Sequence, residues 1–451
     1  MSAETSYDTT ETLVKGNPKK GMIGATLGFF IGFAAVVALG ATSSFFEAEF
    51  LALGSSGSLI GLLVAMPNLS GSLLRIPFAA WSDSVGSRKP LLVLLMLSLV
   101  GLIGIVIVIF TNYPGFQLYH YPLLLILGFL AGCGIATFSV GISQVSYWYP
   151  QKEQGKALGT YAGIGNTAPG IFSLVMAISL GLFSFSSTNG LGESYLLWFI
   201  LLLIGTGLYF ILGLNAWSFQ LEAKGLSSDE AKKIAREYGQ DLFPAHNLTQ
   251  SLKSSASIWQ TWALVGLYFT SFGGFIALAA WLPKYWISYF SVGGVSVLGI
   301  TLGVALLLNS VFVILGSLVR VYSGGLADRI TGERTIFSGL LFLLVGAAVM
   351  IVSTQDMMLV AFGGMLLVST GMGAINAGVF KLVPKVAPDS VGGAAGWVGG
   401  FGAFGGFVIP PVMGAFVDSF GVNGYAWGYV TFAVLAVMSL VITWILKKSN
   451  N

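Results

Sequence analysis

Apolar runs of roughly 18 residues or more recur along this whole chain, and nothing else limits its fold as much. A helical run of that length covers the ~30 Å hydrocarbon core of a bilayer. Inside lipid only helices and closed barrels satisfy their own backbone hydrogen bonds. The runs predict an all-α, multi-pass membrane protein with twelve spans, at roughly 22–43, 57–81, 90–110, 121–148, 157–183, 194–214, 259–284, 295–326, 335–353, 357–383, 393–418 and 424–446. Charged residues are only 9% of the chain and mean hydropathy is +0.85, whereas a soluble domain carries roughly 25% charged residues. Residues 1–20 are polar and the first run is long enough to span, so no cleavable signal peptide is expected. Cys133 is the single cysteine, which excludes an intrachain disulfide and offers no metal set. No nucleophile–base set, phosphate loop or metal cluster stands out, so neither an enzyme nor a cofactor is expected.

The placement of charge predicts topology. Of the 21 lysines and arginines, 17 fall on one side of the membrane: Lys15, Lys19 and Lys20, the pairs Arg88–Lys89 and Lys152–Lys156, five in 215–258, Arg329 and Arg334, Lys385, and Lys447–Lys448. The opposite loops hold Glu47, Glu49, Glu193, Asp356 and Asp418, with Lys284 placed at a helix end. The positive-inside rule then makes both termini and the central loop cytoplasmic. The predicted divisions are a tail at 1–21, a six-helix half at 22–214, a cytoplasmic linker at 215–258, a second half at 259–446 and a tail at 447–451. Within the linker, 227–239 reads as an amphipathic surface helix and the rest as solvated chain.

Three cations remain within the spans: Arg75, Arg320 and Lys381. No aspartate, glutamate or histidine falls in the middle of any span. A charge in lipid costs between about 3 and 10 kcal/mol, and uncompensated positive charge suits an anion that brings the missing negative charge itself. The two arginines sit in near-copies of one segment, Gly71-Ser-Leu-Leu-Arg75-Ile and Gly316-Ser-Leu-Val-Arg320-Val, each with an aspartate eight residues on, Asp83 and Asp328. Residues 71–83 align with 316–328 at an offset of 245; beyond the aspartates the loops align with one inserted residue. Parallel repeats of this kind hold their substrate at the repeat interface.

These segments resemble a known family. Asp83-Ser-Val-Gly86-Ser-Arg88-Lys89 and Asp328-Arg-Ile-Thr-Gly332-Glu-Arg334 look like the loops that mark the major facilitator superfamily. Gly71-Ser-Leu-Leu-Arg75-Ile-Pro77, Tyr149-Pro150-Gln-Lys152-Glu-Gln154-Gly155-Lys-Ala-Leu-Gly159, Gly163-Ile-Gly165-Asn166 and the run from Gly400 to Pro410 resemble its nitrate/nitrite porter family. The resemblance implies a major facilitator fold of two six-helix halves. It implies a substrate site lined by Arg75, Arg320, Phe138, Asn166, Tyr268 and Phe272, with gating glycines Gly163, Gly165, Gly402 and Gly405. It also implies nitrate assimilation, residence in the cell membrane and a monomer whose partners are a small inorganic anion and lipid, with no nucleic acid. One departure, Thr167-Ala168-Pro169, predicts a different bend in the fifth span.

The chemistry of nitrate fits independently. A guanidinium is planar, permanently charged and forked, and donates paired hydrogen bonds to a planar anion. Tyr268 and Phe272, four residues apart, share one helix face. Lys381, three residues before Pro384, either snorkels to the interface or takes part in anion exit or proton coupling. The expected activity is secondary transport of nitrate or nitrite by alternating access, as nitrate/nitrite exchange or proton-coupled uptake. Exchange of small organic anions such as oxalate and formate is the alternative.

Overall fold

The computed structural model of the chain describes residues 14–54, 56–150, 153–243, 248–290, 302–387 and 391–449. Among the described residues, 12 helices are long and apolar enough to cross a membrane. They are α1 (Pro18–Val37), α2 (Gly57–Ala79), α3 (Arg88–Asn112), α4 (His120–Trp148), α5 (Ala157–Leu182) and α6 (Leu191–Leu212), then α7 (Trp259–Phe290), α8 (Leu302–Ala327), α9 (Gly332–Val352), α10 (Met358–Val383), α11 (Gly393–Trp427) and α12 (Val430–Lys448). An even number of crossings returns both described chain ends to one face, here called the terminal face. The opposite face is the far face. The expected start of the eighth span, Lys152, Asn247 of the Asn247-Leu-Thr glycosylation-type sequence in the linker, and the side chains of Asp83, Lys156 and Asp328 lie outside the described residues.

Helix starts follow from local chemistry. Asn17 caps α1 by accepting the Lys20 amide at 3.0 Å, with Pro18 in the first turn. Ser56 does the same for α2 through the Leu59 amide at 3.3 Å. The two repeats carry one turn in common. Gly86 has φ 82° and ψ 157°, and Thr331 has φ 93° and ψ 151°. The repeat therefore continues ungapped through the loops, and the inserted residue expected from aligning the glycines is not needed. Gly86 suits that left-handed backbone, whereas Thr331 holds it against its side chain while its hydroxyl caps α9. Arg88 then corresponds to Glu333, and Lys89 to Arg334.

α2 packs on α11, α5 on α8, and the end of α1 on α7, so the two groups of six meet along a central seam. Three local features of the spans matter for function. α5 is interrupted at Thr167, with Pro169 in the first turn of its second segment, Ala168–Leu182. α7 contains a π-helical turn at Phe269–Gly273. It also runs through Pro283 to Phe290, so Lys284 is not at a helix end but inside the helix and wholly buried.

The segment between the groups is not simply solvated. Its helix Ser228–Glu237, capped reciprocally by Ser227 and Glu230, buries Ala231 and Ala235 in a cluster with Trp148, Trp217 and Phe219. Farther on, Trp397 of α11 donates to the Leu252 carbonyl at 3.0 Å. The segment is thus packed against both groups.

Candidate functional site

Arg75 starts a fresh helical segment after a distortion at Leu74, which turns its side chain into the seam. It is wholly buried. Nε donates to the Gly71 carbonyl at 3.1 Å, and Nη1 crosses the seam to the Gly399 carbonyl at 3.0 Å. Nη2 is buried without a partner. The guanidinium carbon lies 4.9 Å from the Phe138 ring centre and 5.1 Å from that of Phe272.

Arg320 comes from α8 on the other side of the seam and faces the same two rings, 5.9 Å from Phe138 and 5.5 Å from Phe272. A third ring, Phe380 of α10, lies 5.6 Å away. Arg320 is half-buried, and its Nη1 is enclosed without a partner. Sharing the Phe272 ring puts the two guanidinium carbons within about 11 Å of each other, where unit charges repel by at least ~1.5 kcal/mol at an effective dielectric of 20. Among the described residues, neither arginine pairs with a carboxylate.

The rings form a continuous wall. Tyr268 stacks on Phe272 at 4.8 Å and 10°, and meets Phe380 edge-on at 5.0 Å. Phe272 stacks on Phe33 and Phe138, and Phe138 leads on to Phe29 and Tyr161. The π turn delivers Phe272 to this position, a common use of such turns at functional sites. The Tyr268 hydroxyl faces Arg320 without reaching hydrogen-bond geometry and is buried without a partner. Three buried donors therefore lack an acceptor along one aromatic wall: Arg75 Nη2, Arg320 Nη1 and Tyr268 Oη. Such donors lose ~1–3 kcal/mol each if no acceptor reaches them. A small planar anion supplies acceptors, and aromatic faces with bound cations exclude water from it.

Of the residues singled out from sequence, Arg75, Arg320, Phe138, Tyr268 and Phe272 come together. Asn166 is buried at the last residue before the α5 break, with Oδ1 unpartnered. Its neighbour Gly165 packs directly on Phe29. Gly163 touches Val321, next to Arg320; Gly402 lies under the Tyr268 ring; Gly405 meets Gly273 backbone to backbone. A methyl group at any of these four glycines would collide with its neighbour. Lys381 is exposed. The preceding residue, Phe380, faces Arg320. Phe29, Phe33, Tyr161 and Phe380 are the members that sequence reasoning missed, and apolar helices rich in aromatics give no signal for them.

Toward the far face the seam is tightly closed. Lys284 Nζ of α7 pairs with Glu47 at 3.1 Å, walled by Trp281 and Tyr425. Asp418 of α11 accepts the Gly57 and Ser58 amides at 2.7 and 3.1 Å, capping α2 from across the seam. Ser310 donates to the Gly170 carbonyl at 2.7 Å, and Asn309 to Ser173 Oγ at 3.0 Å.

The Major Facilitator Superfamily model matches residues 27–410. A "Probable nitrate/nitrite antiporter NarK1" of Thermus thermophilus is 29% identical over 409 residues, covering 86% of this chain and 83% of that protein. A "Probable nitrate transporter NarT" of Staphylococcus carnosus is 28% identical over 396 residues, covering 88% of each. The "Nitrite extrusion protein" of Bacillus subtilis is 26% identical over 389 residues, covering 85% and 84%. Among solved structures, the xylose transporter XylE from E. coli matches with a TM-score of 0.71 at 16% identity, covering 95% of this chain and 99% of that one. That last likeness is one of fold.

Proposed function

The chain belongs to the Major Facilitator Superfamily, in its nitrate/nitrite porter family, and from that premise we propose that it exchanges nitrate for nitrite by alternating access, with the anion bridging Arg75 and Arg320. It is a multi-pass membrane transporter and not an enzyme. The observation that carries the bridging role is the pair of guanidiniums from opposite sides of the seam, facing the same two rings and each with an unpartnered donor.

The steps follow from charge. With the site empty, Arg75 and Arg320 repel across the seam and closure around them is disfavoured. A bound nitrate accepts from Arg75 Nη2, Arg320 Nη1 and Tyr268 Oη, and turns that repulsion into two attractions. Residues 22–214 and 259–446 then rock about the site, breaking the Lys284–Glu47 and Asp418–Ser58 contacts as the far face opens. Because only the loaded carrier switches readily, an anion must return for each one moved, and nitrite is the natural counter-substrate. The absence of a carboxylate beside the arginines, among the described residues, supports exchange over a carboxylate-based proton relay. The distribution of lysine and arginine supports a cytoplasmic terminal face and residence in the cell membrane.

Nitrate uptake into proteoliposomes at equal pH on both sides tests this. Uptake into nitrite-loaded vesicles, absent from empty ones and from oxalate- or formate-loaded ones, is the expected result. Uptake into empty vesicles driven only by an inward proton gradient would replace exchange with symport. Uptake driven only by oxalate or formate would replace the substrate.

A further inference from the structure

A groove of about 540 Å³ opens on the outer surface between the start of α3 and the end of α6, remote from the arginines. Its floor is apolar: Leu92, Met96 and Val100 line it along α3, and Met96 and Val100 are more than half exposed on a membrane-spanning helix. Its mouth at the terminal face is basic. Arg88 donates through Nη2 to the Phe210 carbonyl at 2.7 Å, in the last turn of α6, and lies 5.1 Å from the Phe210 ring. Its Nε is buried with no partner. Lys89 beside it is exposed. Among the described lining residues there is no carboxylate.

We propose that an anionic phospholipid occupies this groove, with its phosphate against Arg88 and Lys89 and one acyl chain along Leu92, Met96 and Val100. The dimensions match: Arg88 to Val100 spans about 18 Å of helix, close to the ~15 Å depth of one leaflet. The charge matches as well, since basic pockets at the cytoplasmic side of membrane helices suit anionic headgroups. The second repeat supplies an internal contrast. There Arg88 is replaced by Glu333, which Lys385 engages at 3.0 Å, so the matching helix start carries a neutralised pair. Paired cations with no carboxylate partner among the described residues are a feature of the first repeat.

The test is native mass spectrometry of the full-length purified protein with dioleoyl phosphatidylglycerol, dioleoyl phosphatidylcholine or inorganic phosphate. The wild type should retain one phosphatidylglycerol in preference to phosphatidylcholine. Each neutralised basic residue should reduce that retention about fivefold. Arg88→Gln removes an α6 cap as well, so the exposed Lys89→Gln carries the charge test without that complication. Val93→Trp fills the groove with both cations kept and should also displace the lipid. Equal retention of the two lipids would overturn the proposal, as would phosphatidylglycerol retention unchanged in Lys89→Gln and Val93→Trp. Displacement by inorganic phosphate at concentrations comparable to the lipid would make it a free-anion site, and would equally overturn it.

Discussion

Arg75 and Arg320 stand at matching places in the two repeats, and their surroundings differ. Arg75 is wholly enclosed and tied at two points, to Gly71 in its own helix and to Gly399 across the seam. Arg320 is half-buried and, among the described residues, touches aromatic faces and lies beside the Tyr268 hydroxyl without a hydrogen bond to the backbone. In the proposed exchange this makes Arg75 a fixed post and Arg320 an arm that responds. Under the proposed mechanism the repeated segment serves two tasks, structural anchoring with anion binding on one side and anion binding with motion on the other.

Alanine substitutions break this comparison most directly. Arg320→Ala should lower nitrate exchange by at least about 100-fold, the loss of a forked charge-assisted contact, with the unfolding midpoint in detergent hardly moved. Arg75→Ala should match that loss and also destabilise the fold by ~2 kcal/mol, because two buried carbonyls lose their donor. Equal midpoints for the two variants would refute the post-and-arm distinction.

The far-face pair sharpens it. Glu47→Gln leaves Lys284 buried without its counter-charge, which costs about 3 kcal/mol in the closed arrangement. The far face should then spend more time open, read as a longer pulsed-EPR distance between labels on Ser187→Cys and Gln355→Cys. An unchanged distance would show that this pair does not hold the seam shut. Next in size, Phe272→Leu removes one of the two rings both arginines share and should weaken nitrate binding by roughly tenfold. A loss confined to Phe380→Leu, the ring that faces Arg320 without facing Arg75, would argue against a shared wall. The smallest effect is expected from Lys381→Gln, within about twofold in exchange, because an exposed side chain adds little to a screened site. A collapse of exchange in that variant would return Lys381 to the coupling step.

What the sequence revealed, and what it hid, follows the same physics. The number of spans and the paired arginines were legible because isolated charge in a long apolar run has few innocent explanations. Phe138, Tyr268 and Phe272 were reached only through resemblance. Phe29, Phe33, Tyr161 and Phe380 were not, because an aromatic in a membrane helix looks alike whether it packs or lines a site. Lys284 was misplaced because Pro283-Lys284 reads as a helix end, while its partner Glu47 is more than 200 residues away in sequence and adjacent only after the two groups meet. The ungapped loop repeat was hidden because Thr331 adopts a backbone shape that favours glycine, and aligning the glycines shifted the register by one.

The bridging of one anion by two arginines is tested most directly by nitrate titration calorimetry on the wild type, Arg75→Lys and Arg320→Lys. Lysine keeps the charge and loses the fork, so the account predicts that both variants bind nitrate at least about tenfold more weakly than the wild type. Wild-type affinity in either variant would contradict it, because the anion would then be held from one side of the seam alone.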